Sequence, residues 1–158
     1  MRTYDFDCLP EAGAAPPAIS FTVPAVPVAQ PRPRATAIGG HARVYQPTKH
    51  PIAAFKASVR MAAATAFTGA PLAGPLRVDC LFVFPRTKSQ IWKSRPMPRI
   101  RHAKKPDRDN CDKAVLDALS GLLWLDDCQV CSGTIEKWIA AGDEQPHVVV
   151  TITDLGET

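Results

Sequence analysis

The sequence has few acidic residues over most of its length and no long apolar run. Residues 12–106 include fifteen Lys and Arg residues but only one acid, Asp79. No apolar stretch reaches the roughly 20 residues of a membrane-spanning helix. The N-terminus, with Asp5 and Asp7 early in it, lacks the basic and apolar regions of a secretory signal peptide. These absences argue against a membrane or exported protein and predict a cytoplasmic one.

Cysteine is present in a number that fits neither a disulfide framework nor a zinc site. The five cysteines are odd in number and unevenly spaced, which is typical of reduced thiols in a chain without a secretory signal. Cys128 and Cys131 form a C-x-x-C pair, but no second pair accompanies it, and structural zinc normally takes four ligands. We therefore expect free thiols and no zinc.

Charge is distributed very unevenly along the chain. Residues 107–158 carry eleven acids and three bases, whereas the part before them is strongly basic. A chain of 158 residues with 46% hydrophobic content suits one folded domain with one core. The basic part predicts affinity for a polyanion such as a nucleic-acid backbone. A generic basic domain with an acidic rim is the alternative that charge alone leaves open.

Apolar periodicity predicts an α+β domain, a mixed sheet with two principal helices. One helix is expected over 48–67, with Lys56 and Arg60 on a solvated face, and the other over 109–121. Period-two patterns and turn residues predict strands over 19–28, 43–45, 76–84, 129–140 and 147–153, the last two antiparallel and joined through 142–146. Asp79, on the 76–84 strand, is expected to pair with a base.

Two segments show neither the helical nor the strand periodicity of apolar residues. Residues 1–18 have no core face and are predicted to be a flexible tail, which leaves 19–154 as the folded domain. Residues 85–106 are expected to form a structureless basic loop, with eight Lys and Arg residues and no acid from 86 onward. Because loops of this length are usually functional or disordered, we expect it to be mobile alone and ordered on DNA.

Three side chains of this loop have alternative interpretations. Trp92 and Met97 would either wedge into a DNA junction or anchor the loop to the protein. His102, close to the acids in sequence, would ligate a metal or shuttle protons, but a solvated loop histidine is the expected outcome.

The candidate catalytic and metal-binding residues lie between residues 104 and 130, in the run KKPDRDNCDKAVLDALSGLLWLDDCQV. Asp107 and Asp109 stand at the start of the second predicted helix, and Lys113 shares a face with Asp109 because four residues separate them. Carboxylates gathered in this way suit a hard divalent cation, which takes oxygen ligands. Helix capping by the two aspartates is the structural alternative.

A second acidic pair, Asp126 and Asp127, follows that helix at the expected start of a strand. Neighbouring side chains of an extended strand point to opposite faces. We therefore expect at most one of the two to be a direct metal ligand.

The run KPDRDNCDKAVLDALSG…WLDDCQV resembles the signature of RusA-type Holliday junction resolvases, which are bacterial or phage-associated endodeoxyribonucleases. The shared pattern comprises the D-x-D-N entry, the lysine four residues after the second Asp, the A-x-x-D-A-L helix and W-x-D-D-x-Q-V. Weaker similarity extends to QPRPR at 30–34, VYQP at 44–47, FPR at 84–86 and the C-terminal VVVTI. The resemblance covers most of the chain from about Phe21 onward.

The resemblance implies metal-binding carboxylates at Asp107, Asp109 and Asp127, with Asp126 as a further match, and a catalytic lysine at Lys113. It implies Mg²⁺, or Mn²⁺ in its place, a branched DNA substrate and a typical prophage origin. A C2 homodimer follows from that function, since a four-way junction is approximately two-fold symmetric. The basic residues expected to hold the DNA strands are Arg32, Arg34, Arg86, Lys88, Lys93, Arg95, Lys104, Lys105 and Arg108.

The predicted function is resolution of Holliday junctions by paired, metal-dependent phosphodiester hydrolysis in DNA recombination and repair. A non-cleaving junction-binding module of the same fold is the alternative, and the presence of every carboxylate and the lysine argues against it. A nuclease or phosphatase for small substrates is a third hypothesis, which the long basic loop and the dispersed arginines disfavour.

Overall fold

The computed structural model describes residues 18–32, 34–38, 41–45 and 50–156, and for 34–38 and 41–45 it describes the backbone alone. The tail expected over 1–18 lies outside the described residues except for Ala18. The described elements are strands β1 (Ala18–Val23), β2 (Arg34–Ile38), β3 (His41–Tyr45), β4 (Leu76–Phe84), β5 (Ile100–Arg101), β6 (Val130–Ser132), β7 (Ile135–Ile139) and β8 (His147–Asp154), and helices α1 (Ile52–Ala66) and α2 (Arg108–Leu119).

The main sheet is mixed and has the strand order β1-β8-β4-β7-β5, with β6 also paired to β4. Strand β4 runs parallel to β6 and β7 and antiparallel to β8. Strands β2 and β3 form a separate antiparallel hairpin. A mixed sheet with two helices in a single domain confirms the predicted fold class.

Strand β4 occupies the centre of the sheet, between β8 and β7. Its residues alternate, with Leu76, Val78, Cys80, Phe82 and Phe84 buried on one face, and this matches the predicted strand in both bounds. Strands β7 and β8 run in opposite directions and are joined through 142–146, as predicted, but they do not pair with each other, because β4 lies between them.

Both helices pack on the same face of the sheet. The buried stripe of α1 (Phe55, Val59, Ala63) and that of α2 join the even-numbered side chains of β4 in one core. The stripe of α2 consists of Cys111, Ala114, Val115, Ala118 and Leu119. Helix α2 ends two residues before the predicted end, and Gly121 beyond it has a φ of +74°, a left-handed conformation that glycine adopts without steric cost.

Polar contacts join the two helices, which corrects the expectation that Lys56 and Arg60 are solvated. The Nζ of Lys56 lies 3.1 Å from Oδ2 of Asp117. The guanidinium of Arg60 donates to the carbonyl oxygen of Ala118 at 2.8 Å. The second of these contacts satisfies a carbonyl in the last turn of α2, where the helix itself supplies no partner.

The single strand expected over 129–140 is wrong, because the segment is broken into a 3-10 turn and two short strands. The turn spans Asp127–Gln129, and β6 and β7 flank Gly133 and Thr134. A Cβ on Gly133 would lie 1.8 Å from the carbonyl oxygen of Val78, so only glycine permits this close approach. Asp79 accepts hydrogen bonds from the amide and the hydroxyl of Thr134, at 2.8 and 2.6 Å.

Asp79 also pairs with a base, as predicted. Its carboxylate accepts two hydrogen bonds from Arg77, at 2.8 and 2.9 Å, and this contact holds the pKa of Asp79 below its usual range. The acid therefore belongs to the sheet rather than to a metal site.

The basic segment 85–106 is not structureless. It contains a 3-10 turn (Lys88–Gln90) and β5, which pairs with β7. Arg86 donates to the carbonyl oxygens of Ala140, Gln90 and Pro98. The segment is ordered in part because one guanidinium, with five N–H donors, can satisfy several carbonyl oxygens of a loop that has few strand-type hydrogen bonds.

Trp92 and Met97 pack within this segment. The ring of Trp92 lies under the guanidinium of Arg95, 3.7 Å from its centroid, and also faces Arg86. The backbone N–H of Trp92 donates to Sδ of Met97 at 3.2 Å. Both side chains therefore make the anchoring contacts that the sequence left as one of two interpretations.

The described part of the chain adds two further observations. None of its helices has the length and apolar character that a membrane span requires. Its four cysteines, at positions 80, 111, 128 and 131, are free, and burial raises the pKa of the Cys111 thiol to about 11.

Candidate functional site

The first turns of α2 carry a row of polar side chains. Asp107 stands immediately before the helix, and its carbonyl oxygen accepts from the amide of Cys111 at 3.2 Å. Its side chain makes no capping hydrogen bond. The geometry thus does not support capping as the role of the Asp107 carboxylate.

A hollow of about 420 Å³ runs along α2 beside the turn that follows the helix, and we call it the carboxylate hollow. Asp109, Asp112 and Lys113 line it from α2, since residues three and four apart share a face of a helix. Asp127 lines it from the 3-10 turn. The remaining lining residues are Arg108, Leu116, Asp117 and Ile135.

Asp127 is positioned by a buried tryptophan. Its Oδ1 accepts from the indole N–H of Trp124 at 3.2 Å, and Trp124 is fully buried. The turn that carries Asp127 is therefore tied to the core of the sheet and of α2.

Asp126 does not line the carboxylate hollow. It is exposed and begins the 3-10 turn, where its Oδ1 accepts from the amide of Cys128 at 3.0 Å. This hydrogen bond lowers the pKa of Asp126. The side chain of Gln129 reaches back to the amide of Asp126 at 2.9 Å, which completes a capping box. The expected extended backbone is present at Asp126, whereas Asp127 lies in the 3-10 turn instead.

Asp112 is a residue of this hollow that the sequence analysis did not single out. It is half-buried, and that burial raises its pKa, while a hydrogen bond with the thiol of Cys80 lowers it and the charge of Asp127 raises it further. Its spacing of three residues from Asp109 was the available signal. We missed it because the family pattern drew attention to other positions.

Asp107 does not line the carboxylate hollow and lines two neighbouring ones. Its Oδ2 lies 3.2 Å from Nη2 of Arg32, in an exposed ion pair. In the part of the chain that the structure describes, no three His, Cys, Asp or Glu side chains stand close enough together to hold a metal ion. The three carboxylates of the family pattern are thus near one another in the fold but are divided between adjoining hollows.

The larger neighbour, of about 680 Å³, is lined mainly by cations, and we call it the basic hollow. Arg108 and Ile135 line both it and the carboxylate hollow. Its other charged residues are Arg101, Lys104, Lys105, Asp107, Glu136 and Lys137. A polyanion lying in the basic hollow would therefore reach the carboxylates directly.

Two of these cations were not among the predicted DNA-binding residues. Arg101 lies over the ring of Trp138, 3.9 Å from its centroid, and its Nη1 is 3.3 Å from Glu136. Lys137 donates from Nζ to the carbonyl oxygens of Lys104 and Pro106, the former at 2.7 Å. Lys137 could not be identified from the sequence, because it lies on β7 and contacts a segment that is distant in sequence.

His102 also lines the basic hollow, and it is not the solvated loop residue that we expected. Its ring stacks on Phe84 with centroids 4.6 Å apart. Burial, aided by the charge of Lys137, lowers its pKa. Its Nδ1 is buried and has no hydrogen-bond partner among the described residues.

The other predicted DNA-binding residues fall into three groups. Lys88, Lys93 and Arg95 are exposed on the basic segment, whereas Arg86 is engaged by backbone carbonyls. Arg34 begins β2, and its side chain lies outside the described part of the structure. Lys104, Lys105 and Arg108 line the basic hollow.

Comparison with known proteins agrees with the motif in α2. A family model described as Endodeoxyribonuclease RusA matches residues 24–153. The chain is also 32% identical over 142 residues to the uncharacterized protein YqaN of Bacillus subtilis (strain 168), covering 87% of this chain and 96% of that protein. The family's enzymes are hydrolases that act on branched DNA and resolve Holliday junctions. Since the match takes in both helices and every strand of the main sheet except β1, this chain belongs to the RusA family of endodeoxyribonucleases.

Proposed function

We propose that this chain resolves Holliday junctions by metal-dependent hydrolysis of two phosphodiester bonds. The observation that carries the proposal is the carboxylate hollow. Asp109, Asp127 and Lys113 line it, and a basic hollow adjoins it. Acids alone would repel DNA. Acids placed beside a cation-lined groove suit a nuclease in which a divalent ion offsets their charge.

The donor set fits Mg²⁺ or Mn²⁺ in its chemistry. Both are hard ions that take oxygen ligands, and Mg²⁺ usually keeps several waters and takes only one or two carboxylates together with substrate phosphates. Asp109 and Asp127 would hold the ion, with Asp112 on the same hollow and Asp107 joining if its ion pair with Arg32 opens. Such an ion supplies Lewis acidity and a water of lowered pKa.

Lys113 acts on the phosphate from the protein side. It is exposed and lines the same hollow as Asp109 and Asp127. As the attacking water bonds to phosphorus and a bridging oxygen departs, negative charge grows on the phosphoryl oxygens. A fixed ammonium group at that place stabilises this charge more than that of the resting diester.

Arg32 changes partner when DNA binds. In the free protein its guanidinium is paired with Asp107, and a phosphate is an equally good bidentate partner for arginine. Transfer of Arg32 to the DNA backbone leaves the Asp107 carboxylate without its counter-charge beside the reacting phosphate. The remaining backbone contacts come from Lys88, Lys93, Arg95, Arg101, Lys104, Lys105 and Arg108.

The chain acts as a C2 homodimer in the cytoplasm. Resolution requires matched cuts in two strands, and a two-fold axis supplies two equivalent sites for an approximately two-fold junction. Recombination and repair of DNA, in a host or a prophage, is the setting that such a reaction serves.

Cleavage of a mobile four-way junction, compared with a linear duplex of the same sequence, tests the proposal. We expect paired nicks in the junction with Mg²⁺ or Mn²⁺, none with EDTA, and none from Asp109→Asn. Junction binding by this variant should be retained or tighter, because an anionic group facing phosphate has been removed. Asp143→Asn, at an exposed turn acid, is the matched control and should cut normally.

Two results would contradict the proposal. Tight junction binding without cutting under any divalent ion would make the chain a non-cleaving binding module. Loss of both binding and folding in Asp109→Asn would make that carboxylate structural. A second readout is the melting temperature, which Mn²⁺ should raise in the wild type and raise less in Asp109→Asn.

A further inference from the structure

A third hollow, of about 450 Å³, is lined by Asp107 and shares no lining residue with the carboxylate hollow. One wall is the segment from Ala29 to Arg32, and the other is formed by the residues that lead into α2. We call it the amide hollow, because two primary amides, Gln30 and Asn110, line it. Its further polar residues are Arg32, His50, Lys105 and Asp107.

The two walls are fixed to each other by the backbone. The amide N–H of Gln30 donates to the carbonyl oxygen of Asn110 at 2.8 Å. Val28 and Ala29, just before, pack against the core. Pro31 restricts the chain on one side and Pro106 on the other. The hollow is therefore a built feature of the fold, formed between a core-anchored segment and the first turn of α2.

The hollow contains hydrogen-bonding groups that the protein itself leaves unused. Oε1 of Gln30 is buried and has no partner within the described ranges. A buried acceptor without a partner is costly, so its presence in a native structure calls for an explanation, of which a functional role is one. His50 accepts from the amide of Ile52 at Nδ1, at 3.2 Å, so its neutral ring carries the proton on Nε2 and offers a donor.

Cations stand around these amides. Arg32 and Lys105 line the hollow, and Lys105 also lines the basic hollow. Amides, an imidazole donor and an unpaired acceptor suit the edge of a nucleobase, while the cations suit the phosphates on either side of it. A site for phosphate alone would not need a buried, unpaired amide oxygen.

We propose that the amide hollow binds a nucleobase of the junction strand next to the phosphate that is cut, with Gln30 reading its edge. The inference rests on the proposed function, since it places the base relative to Asp107 and the carboxylates beyond it. Unstacking a base costs a few kcal/mol, which contacts with the hollow would have to offset. The site would give cleavage a preference for one base at one position.

The test uses four-way junctions that carry each of the four bases, or 2-aminopurine, at positions flanking the crossover. Binding is measured in EDTA, so that the result does not depend on cutting, and cleavage is then mapped with Mg²⁺. For the wild type we expect at least about fivefold discrimination between bases at one position. A rise in 2-aminopurine fluorescence should occur at that same position.

Gln30→Leu and Gln30→Met remove the amide and keep the bulk of the side chain. Both should lose the base preference and the fluorescence rise, so that the junction with the preferred base binds only as tightly as the junctions with the other three bases. Their melting temperatures should equal or exceed that of the wild type, because a buried acceptor without a partner has been removed. Gln145→Leu, at an exposed turn glutamine distant from the hollow, is the control and should keep the preference.

The outcomes separate the two proposals. Junction cutting with no base preference, or with a preference unchanged in both Gln30 variants, overturns the amide hollow and leaves the nuclease standing. Base-dependent binding without cutting under any divalent ion supports the hollow and overturns the nuclease. Absence of any DNA binding by the wild type overturns both.

Discussion

The side-chain ammonium of Lys137 lies 2.7 Å from the backbone carbonyl oxygen of Lys104 and also donates to that of Pro106. The backbone of Lys137 accepts from the amide of His102 at 3.0 Å. One residue of β7 therefore holds the segment that delivers Asp107 to the start of α2. The sheet thereby fixes where the family's first carboxylate stands.

We expect Lys137→Met to reduce the rate of junction cutting about tenfold or more. A charged hydrogen bond contributes roughly 1.5–3 kcal/mol, and here that energy holds Asp107 in place. The loss should fall on kcat rather than on KM, and Lys137→Arg should restore part of it. Lys93→Met, at an exposed lysine of the basic segment, is the control for kcat. An unchanged kcat in Lys137→Met would show that the contact positions nothing.

Gly133→Ala should be the most damaging small substitution outside the helices. The added methyl group would lie 1.8 Å from the carbonyl oxygen of Val78, and the φ of Gly133 is +151°. We expect a loss of about 3 kcal/mol or more in the free energy of unfolding, measured by urea denaturation. Gly121→Ala, at φ +74° in open space, should lose only about 1 kcal/mol. Similar losses at both positions would contradict the close approach of β6 and β7 to β4.

The ion pair between Arg99 and Glu144 should make stability depend on acid pH. Arg99 donates to Glu144 and, with a hydrogen bond from the amide of Ala141, lowers the pKa of Glu144 to about 2 from its ordinary 4.5. Because the pKa is depressed on folding, the stabilisation is present above pH 4.5 and is lost as the pH falls towards 2.

Glu144→Gln tests this dependence. The variant should be less stable than the wild type at pH 7, and the difference should shrink between pH 4.5 and pH 2 in thermal denaturation. Asp143→Gln, at the neighbouring exposed acid, should show no such convergence. A constant difference at every pH would mean that the carboxylate charge contributes nothing.

Neutralising Lys88, Lys93 and Arg95 together should weaken junction binding and flatten its salt dependence. Each phosphate contact contributes about 0.9 to the slope of log K against log salt, so the slope should fall by up to about 3. Arg86→Gln should act differently, since Arg86 holds carbonyls of the loop, and we expect it to lower thermal stability. A salt slope unchanged in the triple variant would show that the segment does not touch DNA.

Local residue patterns were enough to predict the secondary-structure elements and the family. The alternation of residues 76–84 defined β4 in full, and helical spacing located α1 and α2 to within a few residues. The D-x-D-N entry with its lysine pointed to the RusA family, which the family comparison confirms. Such features are predictable because they depend on neighbours three or four residues away.

Which residues share a hollow depends on how the chain folds and could not be read from local patterns. Three features depend on residues that are distant in sequence. They are the place of β4 between β7 and β8, the contact of Lys137 with Lys104, and the division of Asp107 and Asp127 between different hollows. Local periodicity carries no information on such pairs, because burial and strand pairing select them among many alternatives. The unpaired oxygen of Gln30 belongs to the same class, since a hydrogen-bonding group is left without a partner only by the fold around it.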